Sequence, residues 1–513
     1  MEYIQKTYGG SKMNKNKKAM MITSIIMIIL ICIAFTVKAF QNDTFYTIKV
    51  GESIVKNGID MKDHFSWHSL PYTYPHWLYD IIIYKIYNKF DFNGLYIFTI
   101  LSFIVIGISF YFINLKLNKS YFLSLLFSIF AIIMLAHYAT TRAQLLTYLL
   151  FILEIYFIER LLSSSKKRYG IYLLIICLLI ANLHSAVWPF YFILMLPYLF
   201  EQLVYIIKKK LKLSPSYKVF SKKLIIEDNK NTKYLLIIFI ISLFVGLLTP
   251  IFPMPYTYFI KTLQGTTMQY IEEHKALVLI ENAFVIGYLL ILLIPLILTK
   301  VKIKLSDICM ITGLLLMTFL SVRHMSFLAI IGIFYLCRLI CNIGKINTKE
   351  PLDFELPTFG IIIVLITVII TSGVVYNINS KQSFIDENSY PTKMVDYIYK
   401  NLDTKKIKLY NEYDFGSYLI YKDLKVYIDS RSDLYTKPFN KKNDIFDECM
   451  NITKNYGRVF NKYDITHILI YSDTDLNQIL SASPNYELVH KEGRFALYKY
   501  LKNDTEDKEE TNE

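Results

Sequence analysis

The sequence predicts an α-helical polytopic membrane protein of about eleven spans with a C-terminal extracytoplasmic α/β domain. Three observations predict it. Of the 513 residues, 54% are hydrophobic, more than a soluble chain of this length needs. The apolar residues gather into runs close to the roughly 20 residues that cross a bilayer. The net charge of +14 sits in short basic clusters between those runs. That arrangement sets topology, so nucleic acid is not an expected partner. The six cysteines form neither a CxxC pair nor a Cys/His metal spacing, which argues against a disulfide framework or a structural zinc site. Ile, Lys, Asn and Tyr are abundant, a bias of AT-rich bacterial genomes.

The N-terminal segment 1–18 is basic, with Lys6, Lys12, Lys15, Lys17 and Lys18, and precedes an apolar run over 19–37. This resembles a signal peptide with a cleavage site at 37–39. Its length of roughly 18–20 residues favours an uncleaved anchor. Further spans are expected at 95–115, 120–137, 144–162, 170–187 and 189–207. After a basic connector come 234–250, 277–298, 305–322, 324–341 and 358–377. Alternate connectors are basic: Lys116 and Lys119, Lys166 to Arg168, Lys208 to Lys233, Lys300 to Lys304, and Arg338 with Lys345 and Lys349. The positive-inside rule therefore puts the N-terminus in the cytoplasm of a plasma-membrane protein. It leaves 41–94 and everything after about residue 375 outside.

The outer stretch 41–94 is polar, aromatic and glycine-punctuated, and is grouped with the spans in a membrane domain over 19–378. The external segment 379–501 has the size of a domain. Its pattern predicts helices at 391–402 and 443–461, strands at 407–410, 425–428 and 465–471, and a hairpin with a Glu-Gly turn near 492–493. The acidic tail 502–513 reads as disordered.

Sorting polar residues by side exposes a pattern. On the outer face lie Asp43, Asp63 and His64, then Arg142, then Asn182 with His184. Glu272, Glu273 and His274 follow, and finally Arg323 with His324. Taken singly, Arg142 or Arg323 reads as a snorkelling interfacial anchor and His184 as an ordinary helix-end residue. Their gathering on one face points instead to a reaction centre. Arginines offer paired donors to a phosphate, and a carboxylate beside an incoming hydroxyl serves as a general base. Trp67, Tyr72, Tyr74 and Trp77 suit stacking on a sugar or covering a lipid chain. These parts match glycosyl transfer from a lipid-linked phosphate, whose transition state has oxocarbenium character and whose leaving phosphate needs compensating charge. The rival class is a transporter or flippase of a lipid-linked or small polar substrate. Such proteins carry ionisable residues in their spans and show internal repeats. Here Glu154 is the main ionisable residue within a span and no repeat is visible.

The outer-loop pieces Asp43-Thr44-Phe45-Tyr46, Gly51-Glu52-Ser53-Ile54, Asn57-Gly58, Asp63-His64-Phe65-Ser66 and His76-Trp77-Leu78 resemble the first outer loop of GT-C membrane glycosyltransferases. The similarity is to the bacterial branch related to protein O-mannosyltransferases and lipid-A aminoarabinose transferases. Thr141-Arg142-Ala143-Gln144, Asn182-Leu183-His184, Thr249-Pro250, Ile271-Glu272-Glu273-His274 and Arg323-His324 resemble the same branch. So do Asp414-Phe415-Gly416-Ser417-Tyr418-Leu419 and Ile428-Asp429-Ser430-Arg431 in the external domain. The resemblance implies an inverting transferase that uses a polyprenyl-phosphate sugar at the outer face, with Asp43 as base. Asp63 would then serve as a supporting catalytic acid or acceptor ligand, Arg142 and Arg323 would bind the donor phosphate, and His64, Asn182, His184, Glu272, Glu273, His274 and His324 would line the pocket. Several relatives carry a second acidic residue two positions after the first. Here that position is Phe45, so no metal or other cofactor is expected. The expected partners are the lipid-linked sugar, membrane lipid, and a glycan, lipid or protein acceptor.

Overall fold

A computed structural model describes residues 15–501 apart from 165, 212–222, 347, 349, 355 and 356. Residues 1–14 of the basic N-terminus, Lys349, part of the 208–233 connector and the acidic tail lie outside the described residues. The described residues divide into two compact units. One draws on Met1–Lys38, Leu95–Pro255 and Glu272–Gln382, the other on Ala39–Gly94, Tyr256–Ile271 and Ser383–Glu513. The stretch 41–94, grouped with the spans on sequence grounds, falls largely in the second unit.

In the first unit every expected apolar segment carries a helix. Among the described residues six helices are long and apolar enough to cross a membrane: Lys15–Phe35, Trp77–Asn118, Tyr121–Tyr138, Ser185–Lys210, Val322–Gly344 and Phe359–Ser380. Arg168–Leu183, Thr232–Val245, Ala283–Leu298 and Leu305–Leu320 are apolar but shorter. Ala143–Ser164 has the length but contains Glu154, Glu159 and Arg160. Helix Lys15–Phe35 packs along Thr358–Ser380, and Asn379 Nδ2 donates to the Ala34 carbonyl at 2.8 Å. Ile362, Ile366, Ile370 and Val374 nevertheless stand exposed, a stripe that water would penalise and lipid tails would not. Hydroxyls inside the helices bond back onto the preceding turn, as Thr36 does to the Cys32 carbonyl at 2.8 Å and Thr99 to Leu95 at 2.9 Å. Such bonds satisfy these hydroxyls where hydrocarbon would offer no partner.

The second unit opens with a helix inside the outer stretch 41–94. Asn42–Asn57 buries Thr44, Thr47, Ile48, Gly51 and Ile54, spaced three or four apart along one face. Gly51 is required there, because a Cβ would lie 2.1 Å from the Asp80 carbonyl oxygen. Gly58, at φ 79°, ends the helix in a conformation that glycine adopts without penalty. The helix packs on Gly416–Tyr421.

The sheet of this unit runs in the order Leu409–Asn411, His467–Tyr471, Phe495–Tyr500, Tyr486–Glu492. The first pair is parallel, with Tyr410 opposite Ile468, and the others are antiparallel. Segment 425–428 does not join the sheet as expected. Val426 instead exchanges backbone bonds of 3.1 Å with Phe65 and Trp67, and the Asn411 side chain takes up Tyr427 N–H at 2.9 Å and the Ile428 carbonyl at 2.7 Å. The expected helix over 443–461 is two, Ile445–Met450 and Ile452–Lys462, broken at Asn451.

Candidate functional site

The residues expected at the site fall into two groups, one in each unit. In the first unit, Arg142 directly precedes helix Ala143–Ser164 and Arg323 sits in the short turn Val322–His324. Segment 272–277 is stitched to 319–322 by backbone bonds, Val322 N–H to the Lys275 carbonyl and Leu277 N–H to Phe319, both 3.1 Å. The Ser321 hydroxyl adds a bond to the Glu273 carbonyl at 3.0 Å. This splice brings the two acids of Glu272-Glu273-His274 up to the arginines, although only one engages them. Arg142 Nη1 reaches Glu273 Oε1 at 3.2 Å, and Arg323 Nη1 donates to His274 Nε2 at 3.0 Å. Burial alone would raise the Glu273 carboxyl, but the charges of Arg142 and Arg323 outweigh it and hold it below the usual range. For His274, burial and then Arg323 both disfavour the imidazolium, and its pKa is pushed down to about 4. The result is a neutral imidazole and an ionised carboxylate facing two guanidinium groups.

The other residues of this group have structural engagements. Asn182 donates to the Leu178 and Leu248 carbonyls at 2.9 and 3.2 Å. His184 is buried and its N–H closes helix Arg168–Leu183 on the Ile180 carbonyl at 2.9 Å. His324 Nδ1 donates to the Met317 carbonyl at 3.0 Å. Glu272 is exposed and pairs with Lys275.

In the second unit, Asp43 occupies the first turn of helix Asn42–Asn57, where a carboxylate favours the helix dipole. Its charge acts on His76 and on Tyr390. His76 Nδ1 meets Asp80 Oδ1 at 2.7 Å and Nε2 meets the Tyr46 hydroxyl at 3.1 Å. Burial works against the imidazolium, yet Asp80 beside it raises the His76 pKa overall. Asp80, His76 and Tyr46 thus form a proton-holding chain that ends one turn from Asp43. The His76-x-x-x-Asp80 spacing carried a signal for it, since residues four apart share a helical face.

Asp63 is placed quite differently from an open acid. It is buried, with Arg431 Nη2 at 2.9 Å from Oδ1 and the Phe65 and Ser66 N–H groups at 3.1 Å. Burial pushes its carboxyl up, but Arg431 and these donors outweigh that and leave it below the usual range. Arg431 also pairs with Asp429 through Nε and Nη2 at 2.8 and 2.7 Å, between the rings of Phe65 and Tyr72. Sequence reasoning missed this bidentate pairing. His64 is exposed and bonded to Asp60 at 2.6 Å.

Two solved structures share this architecture. The archaeal oligosaccharyltransferase AglB from Archaeoglobus fulgidus, in complex with an inhibitory peptide and a dolichol-phosphate, matches over 95% of this chain and 75% of its own at 10% identity and a TM-score of 0.54. ArnT from Cupriavidus metallidurans in the apo state matches over 93% of this chain and 97% of its own at 9% identity and a TM-score of 0.50. This chain shares the fold of these two proteins. No family model and no curated protein matches the sequence. At such identity the GT-C likeness is one of architecture, and residue roles rest on this chain's own geometry.

One consequence of that geometry is pH-dependent stability. The unfolded His274 protonates near pH ~6.5, while in the fold its pKa lies at about 4. Stability is therefore full above the unfolded value and declines as pH falls from there toward the folded one. Between neutrality and pH ~5 the contribution is about 1 kcal/mol after discounting for solvent screening. Thermal unfolding of the detergent-solubilised protein should show it, with His274→Gln giving a shallower pH slope over that interval. An unchanged slope would refute the assignment.

Proposed function

We propose that the protein is an inverting membrane glycosyltransferase that moves a sugar from a polyprenyl-phosphate donor to an acceptor hydroxyl at the outer face of the plasma membrane. The observation that carries it is the pair of guanidinium groups, Arg142 and Arg323, set around Glu273 in a chain that shares the fold of AglB. Two such cations suit a phosphate leaving group, because both stay charged and present forked donors. Glu273 and His274 pair with these two side chains before donor arrives. In the transfer step the acceptor oxygen forms a bond to the anomeric carbon while the bond from that carbon to the phosphate oxygen breaks. By the family resemblance the acceptor proton would pass to Asp43, and the phosphate keeps the bonding electrons. Arg142 and Arg323 stabilise that charge as it develops. The dolichol-phosphate bound to AglB belongs to the same chemical class as the proposed donor. The basic connectors between alternate spans support an outer location for this chemistry.

The test uses the full-length protein in nanodiscs, a panel of radiolabelled polyprenyl-phosphate monosaccharides and cell-envelope extract as the acceptor source. The expected result is a covalent labelled product of inverted anomeric configuration. Donor-stimulated flux across liposomes without any covalent product would replace this reading with the transporter alternative.

A further inference from the structure

The first unit contains a second charged site at the opposite helix ends from Arg142 and Arg323. Helix Ala143–Ser164 begins directly after Arg142 and reaches this second site at Glu159, about 25 Å along its axis. There a cavity of about 930 Å³ opens among the connectors. Lys119, Lys300, Lys302, Lys304, Arg338 and Lys345 line it. Its carboxylates are Glu159, Glu227 and Glu350.

Those acids are spent unevenly. Arg338 is neutralised by Glu159 at 2.9 Å and by Asp307 at 2.8 Å, and Lys304 by Glu227 at 2.6 Å. Among the described residues no ion pair engages Lys119, Lys300, Lys302 or Lys345. A topogenic cluster needs only to be basic, but this one is built. Segment 300–304 alternates: Val301 and Ile303 are buried, while Lys300, Lys302 and Lys304 line the cavity. Its register is fixed by a parallel pairing of Ile303–Lys304 with Leu224–Ile225, which joins two connectors far apart in sequence. The segment leading into this short strand therefore sets its lysines along one side of a partly open cavity.

We propose that this cavity binds a phosphate group, as a phosphodiester or phosphomonoester, at the basic face of the membrane domain. The volume exceeds what a bare phosphate fills and suits a headgroup with its glycerol. Basic pockets between spans at the cytoplasmic side are apt for anionic lipid. The same lysines would also hold a free phosphate. This site is independent of the proposed transfer chemistry and stands or falls without it.

The experiment measures binding of fluorescent phosphatidylglycerol to the full-length protein in detergent at low salt, with phosphatidylcholine as the neutral comparison and radiolabelled orthophosphate as a separate arm. The triple variant K300Q/K302Q/K345Q should weaken binding by about fivefold per lysine, or roughly a hundredfold in all. The triple variant K208Q/K209Q/K210Q loses the same charge outside the cavity and should change binding by less than about threefold. K300R/K302R/K345R should retain affinity, which keeps the test decisive if the glutamine variant folds poorly. Saturable orthophosphate binding that the cavity variant abolishes would identify free phosphate as the ligand, and phosphatidylglycerol binding alone would identify lipid. Equal losses in both glutamine triples, or none in either, would overturn the proposal.

Discussion

Asp43→Asn is expected to lower sugar transfer by about 10²–10⁴-fold, the usual contribution of a general base, while leaving donor binding nearly intact. The substitution keeps the shape of the side chain in the first turn of Asn42–Asn57 and removes its capacity to take a proton. Helix packing should survive, because the buried face is carried by Thr44, Thr47, Ile48, Gly51 and Ile54 and not by position 43. The readout is initial rate in nanodiscs at saturating donor, with thermal stability followed in parallel. A loss confined to turnover fits the base role, whereas normal turnover in a folded variant removes Asp43 from it. Asp63→Asn provides the contrast. Asp63 is closed in by Arg431, Ser66 and Phe65, so its replacement should act on stability more than on turnover.

That contrast also shows what a sequence can and cannot disclose. The spans were legible because a run of apolar residues near 20 long has few other uses in a chain this rich in charge. The gathering of Arg142, Glu273, His274 and Arg323 was legible as a shared face, since the basic connectors fix which helix ends lie together. Their pairing was not, because it depends on backbone bonds between 272–277 and 319–322, and no local pattern encodes a contact over that separation. Helix Asn42–Asn57 was hidden by its own composition. Threonine and tyrosine fill buried positions there, and Gly51, which looks like punctuation, instead allows two backbones to touch. Asp63 and Asp43 look alike in sequence. The arrival of Arg431 from far along the chain is what marks Asp63 as a buried structural acid.

Arg431→Met should therefore be the most damaging single change in the second unit. Methionine preserves apolar contact with the rings of Phe65 and Tyr72 but leaves Asp63 and Asp429 buried without their cation. Stranding charges in this way costs about 3–5 kcal/mol, against a total stability for a domain of about 5–15 kcal/mol. The wild-type interaction has the opposite pH signature to the defect it prevents. Asp63 titrates below its unfolded value, so it stabilises the fold above that value and the contribution is lost as pH falls through the folded pKa. Without Arg431 the buried Asp63 carboxyl favours protonation, and the deficit of the variant should shrink on acidification. Limited proteolysis and thermal unfolding of the full-length protein at two pH values would record both trends. Adding Asp63→Asn and Asp429→Asn to Arg431→Met should recover much of the lost stability if stranded charge is the cause. A triple variant as unstable as the single one would instead assign the loss to packing, and would refute the electrostatic account of how residues 63 and 431 are joined.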